Sequence, residues 1–211
     1  MQTQELIDKL ALDLTPKPHK GVGGSIALYL AVTTVTMIAG TFLMGPRADL
    51  MQKTESVRFL SETAGIFLTF LVAGLGALLL SVPGQLRTEK YLLLLSLSLA
   101  LWLGTLCAFG ISETLHANPL TMDWGYACTV AILCLAITPS ALLFFLVRRQ
   151  APTRLGWNAF AVATSAFSAG ALALQIHCPI DAVLHHLVWH GLPVFVFGAL
   201  SASVGAKILQ W

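Results

Sequence analysis

Six long apolar runs constrain this chain more than any other feature of its sequence. Each is about 20 residues long, the length that an α-helix needs to cross the hydrocarbon core of a bilayer. No acidic or basic residue lies in the middle of any run. The runs cover residues 25–45, 63–82, 91–111, 125–147, 155–176 and 187–208. The sequence therefore predicts an all-α, polytopic membrane protein built as a bundle of six transmembrane helices.

The composition indicates the same class. Of the 211 residues, 56% are hydrophobic and only 10% are charged, a balance too apolar for a soluble domain. The connections between the runs are short, so we expect no second folded domain. We divide the chain into an N-terminal segment, residues 1–20, and a transmembrane domain, residues 21–211.

The basic residues predict the orientation of the bundle. Nine of the twelve lysines and arginines flank the runs on one side, leaving Arg47, Lys53 and Arg58 on the other. Because positively charged connections stay in the cytoplasm, this distribution places both termini there. The first 20 residues also lack the apolar core and cleavage site of a signal peptide. We expect a multi-pass protein of the bacterial inner membrane.

The N-terminal segment predicts one short amphipathic helix that ends before Pro16. Such a helix can lie on a membrane surface or dock on a partner protein. Its polar face carries three carboxylates and one lysine, unlike the basic face of helices that bind membranes. Docking on a basic protein partner is therefore the better supported use. The expected contact residues are Leu6, Ile7, Leu10, Leu14, Asp8 and Asp13.

The second half of the chain carries a recognisable series of motifs. They are WGYAC (124–128), ITPSALLFFLVRRQAPTR (137–154), QIHCPIDAVLHHLVWHG (175–191) and the final ILQW (208–211). In this order the motifs resemble the NrsF family, membrane anti-sigma factors that are negative regulators of an extracytoplasmic-function (ECF) sigma factor. The resemblance covers essentially the whole chain.

This resemblance implies specific roles for two cysteines. Matched position by position, Cys128 and Cys178 correspond to the family's periplasm-facing cysteines, which are implicated in the response to heavy metals and related stress. Cys107 and Cys134 match nothing in the family pattern. The resemblance therefore implies that Cys128 and Cys178 are the sensing residues.

The residues around Cys178 suggest additional metal ligands. On a helix that begins near Pro179, Asp181 and His185 would share one face. His186 and His190 would share another face, offset by about 100°. One of these faces could meet the two cysteines, while the other lines the bundle or anchors it at the membrane interface.

Thiolate and imidazole ligands together suit copper, zinc and similar thiophilic ions. An oxidising periplasm also permits a disulfide between outward-facing thiols, so the sequence leaves metal binding and disulfide chemistry both open. The candidate metal ligands are Cys128, Cys178, Asp181, His185, His177, His186 and His190.

The expected function is that of a membrane-bound anti-sigma factor and not of an enzyme. It would sequester an ECF sigma factor in the cytoplasm, without direct contact with nucleic acid, and release it when a metal or oxidant engages the cysteines. No obligatory cofactor is expected; Cu, Cd or Zn would act as the signal. The alternative is a membrane thiol oxidoreductase or a soft-metal permease. The lack of a CxxC motif and of charges deep within the spans counts against this alternative.

Overall fold

Helices account for most of the backbone that the structure describes. The computed structural model describes residues 3–12, 21–115, 124–150 and 152–209. Within these ranges six helical segments are long and apolar enough to cross a membrane, which confirms the predicted number of spans. The first five are α2 (Gly23–Met44), α4 (Val57–Leu80), α5 (Thr88–Leu115), α6 (Tyr126–Arg148) and α7 (Leu155–His177).

The sixth span is not one regular α-helix. It begins as α8 (Val183–His185), continues as a π-helical segment (His186–Gly191) and ends as α9 (Leu192–Ile208). We predicted a helix that begins near Pro179. That prediction is wrong by four residues, because residues 178–182 form an extended connection that is held by side chains of other segments.

Helix α7 lies at the centre of the bundle and packs against α4, α6 and α9. In an 18-residue apolar stretch of this helix, 83% of the residues are buried. Its small side chains allow this close contact. A Cβ atom on Gly170 would lie only 3.0 Å from the Ile132 carbonyl oxygen of α6. The centre of the fold is therefore held by close backbone approach, as is common between membrane helices.

Helix α4 begins at Val57, six residues before the boundary that the apolar run predicted. The Ser56 side chain caps it by accepting a hydrogen bond from the Phe59 N–H at 3.5 Å. The first two turns contain Arg58 and Glu62, and Glu62 is buried. The predicted span began with the uncharged run and therefore left these two residues out. A helix can include charged side chains where other segments supply partners for them.

One end of the bundle gathers the polar chemistry, and we call it the site end. The last residues of α2, α5 and α7 meet there with the first residues of α4, α6 and α8. The short helix α3 (Leu50–Lys53) lies in the connection between α2 and α4 at this end.

The N-terminal helix is present as α1 (Thr3–Leu12), in agreement with the predicted amphipathic helix. Its described side chains are exposed, among them Ile7 at 52% and Leu12 at 88%. Asp8 is also exposed, and Leu6 and Leu10 belong to the same helix. Asp13 and Leu14, which we also predicted as partner contacts, lie outside the described residues.

Candidate functional site

Cys128 and Cys178 meet at the site end although 50 residues separate them in the chain. Cys128 is the third residue of α6, and Cys178 directly follows the last residue of α7. Their Sγ atoms are 3.8 Å apart, and both thiols are free. Cys178 is 2% exposed and Cys128 is half-buried. The fold therefore brings together the two cysteines that the resemblance singled out.

Two histidines complete this cluster. The Nε2 atom of His185 lies 3.4 Å from the Cys178 Sγ atom and 3.7 Å from the Cys128 Sγ atom. The His190 ring lies 5.3 Å from the His185 ring between centroids, and both rings are fully buried. One donor atom from each of the four residues lies within 4.8 Å of all the others. We call these four residues the Cys–His cluster.

The π-helical segment explains why these two histidines are neighbours. In an α-helix, residues five apart point about 140° away from each other. A π turn is wider and pairs residue i with residue i+5, so it brings such residues close to one face. His185 precedes this segment and His190 lies within it. The predicted grouping of Asp181 with His185 assumed regular α-helix, whereas Asp181 precedes the helix altogether.

A hydroxyl from α6 supports the irregular turn. Pro193 is the second residue of α9 and has no N–H to donate to the Trp189 carbonyl four residues earlier. The Thr129 hydroxyl donates to that carbonyl instead, at 2.9 Å. Thr129 follows Cys128, so this bond fixes the segment that contains His190 against the segment that contains a cluster thiol.

Glycine is needed where α6 begins. A Cβ atom on Gly125 would overlap the His185 ring and would lie 2.6 Å from the Trp189 Cγ atom. The absent side chain therefore allows His185 to approach Cys128.

The other three predicted metal ligands have different partners. The Asp181 carboxylate pairs with Arg47 and Lys53. The His177 Nδ1 atom lies 2.6 Å from the Gly45 carbonyl oxygen, to which it donates. The His186 Nδ1 atom lies 2.6 Å from a Glu62 carboxylate oxygen, and its Nε2 atom donates to the Ile180 carbonyl at 2.7 Å. These side chains surround the cluster without joining it.

Arg47 connects the loop around Cys178 to the end of α2. Its buried guanidinium binds both Asp49 and Asp181, and its backbone N–H donates to the Ile176 carbonyl at 2.9 Å. Arg58 donates to the Asp181 carbonyl from α4. From the sequence, these arginines were expected only to indicate the orientation of the bundle. Both arginines and the aspartate of the HCPID segment fall on the same predicted side of the bundle. This shared location was the feature of the sequence that could have indicated an ion pair.

Charge pairing determines the ionisation of this loop. Burial acts to raise the pKa of Asp181, but hydrogen bonds from Arg47 and Lys53 outweigh it and lower that pKa. Hydrogen bonding to Asp49, and further pairing with Asp181, raises the pKa of Arg47. The ion pair therefore stays charged at neutral pH.

The cluster contains a thiol that is poised to ionise. A hydrogen bond from the Cys128 thiol lowers the pKa of Cys178 below its usual range. A thiolate is the form that binds metals and attacks disulfides. The geometry suits either a thiophilic metal or a bond between the two sulfurs, whereas the exposed Cys107 and Cys134 lie elsewhere on α5 and α6.

Comparison with known proteins agrees with the motifs. The sequence profile of a family described as "Negative regulator of sigma F" matches residues 10–211. The Anti-sigma-F factor NrsF of Caulobacter vibrioides (strain NA1000 / CB15N) is 27% identical over 230 aligned positions that include all of both chains. No solved structure matches this chain. Because the profile match extends over nearly the whole sequence, the chain belongs to the NrsF family of anti-sigma factors.

Proposed function

We propose that this chain holds an ECF sigma factor at the bacterial inner membrane and releases it when Cys128 and Cys178 engage a heavy metal or an oxidant. The observation behind this proposal is the 3.8 Å separation of the two sulfurs. Family membership supports an anti-sigma role, and this pair is where a chemical signal would act on the bundle.

The N-terminal helix is the proposed docking element. Helix α1 presents Ile7 to the surface beside the acidic residues Glu5 and Asp8, and Leu6 and Leu10 belong to the same predicted apolar face. An apolar stripe with acidic flanks suits a groove on a basic partner. The distribution of lysines and arginines supports a cytoplasmic location for this helix, where a sigma factor would be reached.

The proposed signal crosses the membrane through α2. An ion or a bond that joins Cys178 to Cys128 ties residues 177–182 to the first turn of α6. Those residues are bonded to Arg47 and Gly45, just beyond the last residue of α2. The first residue of α2 is Gly23, close in sequence to α1. Such coupling requires that the signal bind two states of the bundle unequally, because equal binding would shift neither population.

Co-purification tests the anti-sigma role. A tagged full-length chain should recover a sigma factor from its own cells, and a variant that lacks residues 1–20 should not. Failure of the full-length chain to recover any sigma factor, together with metal uptake by vesicles that contain it, would instead indicate a permease.

A sigma-dependent reporter tests the sensing cysteines. Cys128→Ser and Cys178→Ser strains should lose the response to cadmium or copper. Cys107→Ser and Cys134→Ser are matched controls, because those thiols lie outside the cluster, and they should respond normally. A full response in both cluster variants would show that the signal acts at another site.

A further inference from the structure

We infer that the Cys–His cluster is one closed, tetrahedral site for a divalent d10 cation such as Zn²⁺ or Cd²⁺. This inference rests on the proposed function and names the class of signal. It also adds ligands that the sensing cysteines alone do not supply. The four ligands are Cys128, Cys178, His185 and His190.

The distances match a tetrahedral ion. Zinc lies about 2.3 Å from a cysteine sulfur and about 2.0–2.1 Å from a histidine nitrogen. In a tetrahedron these bonds place two sulfurs about 3.8 Å apart and a sulfur and a nitrogen about 3.6 Å apart. The two sulfurs are 3.8 Å apart, and the His185 Nε2 atom lies 3.4 Å and 3.7 Å from them. Three ligand atoms therefore already form one face of the required tetrahedron.

His190 supplies the fourth position. Its ring is fully buried, and within the described part of the chain neither ring nitrogen has a hydrogen-bond partner. A buried imidazole without partners is costly, because it loses its hydration without compensation. A cation among the four donor atoms would satisfy one of these nitrogens. His190 therefore lies beside the other three ligands with a ring nitrogen that has no partner among the residues described, as a fourth metal ligand would.

Charge identifies the valence of the ion. Two thiolates and two neutral imidazoles carry a total charge of −2, so a divalent cation gives a neutral centre. A buried site of low dielectric strongly favours neutrality. A monovalent ion would leave one negative charge uncompensated. Four protein ligands also leave no open position, which is typical of sites that bind an ion for structural effect and not for catalysis.

This ligand set also distinguishes metal binding from disulfide formation. A bond between Cys128 and Cys178 would use both sulfurs and would leave the buried ring nitrogens of His190 without a partner among the described residues. The surrounding histidines are already occupied, since His177 and His186 bond to carbonyl or carboxylate oxygens. Among the histidines that the structure describes, His185 and His190 are the two that have a ring nitrogen beside the sulfurs.

Cobalt titration of the reduced, full-length protein in detergent micelles tests the site directly. Co²⁺ in a tetrahedral Cys–His site gives strong visible d–d bands and ultraviolet thiolate-to-cobalt charge transfer. We expect both signals to saturate at one ion per chain and to disappear when Zn²⁺ or Cd²⁺ is added. Weak octahedral spectra would overturn the inference.

Histidine variants test the ligand set. His185→Ala and His190→Ala should each weaken Co²⁺ binding more than about 100-fold, because even groups that only orient metal ligands are worth 10- to 100-fold. His177→Ala is the control and should bind normally. His190→Cys guards against a folding defect, since a third thiolate should increase the charge-transfer intensity. Unchanged affinity in both alanine variants, or an unchanged spectrum in His190→Cys, would overturn the inference.

The two proposals can fail separately. Tetrahedral binding with no sigma factor recovered from cells would support the metal site and contradict the proposed function. A metal response that needs both cysteines but persists in His185→Ala and His190→Ala would retain the function and overturn the four-ligand site.

Discussion

Arg47 and Asp181 form a two-point ion pair across the site end, with Nη1–Oδ1 and Nη2–Oδ2 distances of 2.9 and 3.0 Å. The arginine side chain is 1% exposed, so the guanidinium side of this contact is shielded from water. Parallel guanidinium–carboxylate bonds fix orientation as well as distance. The pair therefore holds the loop that contains Cys178 rigidly against the end of α2.

Replacing Asp181 should separate ion binding from signalling. Asp181→Asn keeps the shape but removes the charge that Arg47 faces. Because the carboxylate is 37% exposed, solvent screening limits the expected loss of unfolding free energy to about 1–2 kcal/mol. We expect Co²⁺ binding to survive and the sigma-dependent reporter to respond weakly. Asp49→Asn is the control, since the Asp49 carboxylate bonds to Arg47, which is only two residues away in the chain. Equal reporter responses in the two variants would contradict this coupling role.

Acid should weaken the same contact in a defined pH range. The pKa of Asp181 is lower in the folded protein than its ordinary value of about 3.9. Its stabilising contribution is therefore complete above about pH 4 and is lost as the pH falls through the lowered pKa. Thermal unfolding between neutral and strongly acidic pH should show this loss in the native chain. Asp181→Asn should have a shallower acid dependence, and identical curves would contradict the assignment.

The buried Glu62–His186 pair should contribute strongly to stability. Glu62 is 2% exposed and His186 is 3% exposed, and a 2.6 Å contact joins them. Removing one member of a buried pair leaves the other without compensation, which typically costs about 3–5 kcal/mol. Glu62→Ala should lower the free energy of unfolding by an amount in this range. Glu55→Ala, at an exposed position, should change it little. Chemical denaturation in micelles measures both, and similar small effects would argue against the pair.

Gly125→Ala should damage the site more than the fold. The added methyl group would overlap the His185 ring, so this ring must move away from Cys128. Overpacking of this kind costs about 1–3 kcal/mol. Co²⁺ affinity should fall, while α6 is retained because Gly125 precedes it. Gly104→Ala is the control, because nothing lies within 4 Å of its added Cβ atom. Normal Co²⁺ binding by Gly125→Ala would be inconsistent with the described position of His185.

Metal should protect the cluster thiols from alkylation. In the reduced protein, a maleimide should label Cys178 slowly because it is 2% exposed, and Cd²⁺ should slow labelling further. Labelling of the same thiol after the chain is unfolded in SDS without metal provides the reference. Peptide mass spectrometry identifies the labelled site. Equal labelling of Cys178 with and without Cd²⁺ would contradict ligation by that sulfur.

The apolar runs predicted six spans because hydrophobic length is a property of the local sequence. The boundary of α4 was missed because the stability of Arg58 and Glu62 in a helix depends on partners elsewhere in the chain. The meeting of Cys128 with Cys178 was expected from family resemblance, not from spacing. Asp181 was grouped with the metal ligands because its pairing with Arg47 depends on how α2 and α7 end together.

The position of His190 could not be derived from helical periodicity. Regular spacing groups His190 with His186, and their rings do stack at 4.8 Å. The His186 Nδ1 atom nevertheless contacts Glu62, whereas a His190 nitrogen lies beside the two cysteines, because the π turn rotates the side chains that follow it. Such a turn depends on Pro193 and on the Thr129 hydroxyl of another helix. Local propensity alone does not contain that information.

The π-helical segment also makes the ligand set sensitive to the length of the chain. A π turn is equivalent to one residue inserted into an α-helix. Deleting one residue from 187–189 would restore ordinary α-helical bonding and rotate His185 by about 100° relative to α9. A single-codon deletion could thus disperse the four ligands while every ligand residue remained in the gene. Relatives that differ by one residue here would be expected to differ in metal response even where all four side chains are retained.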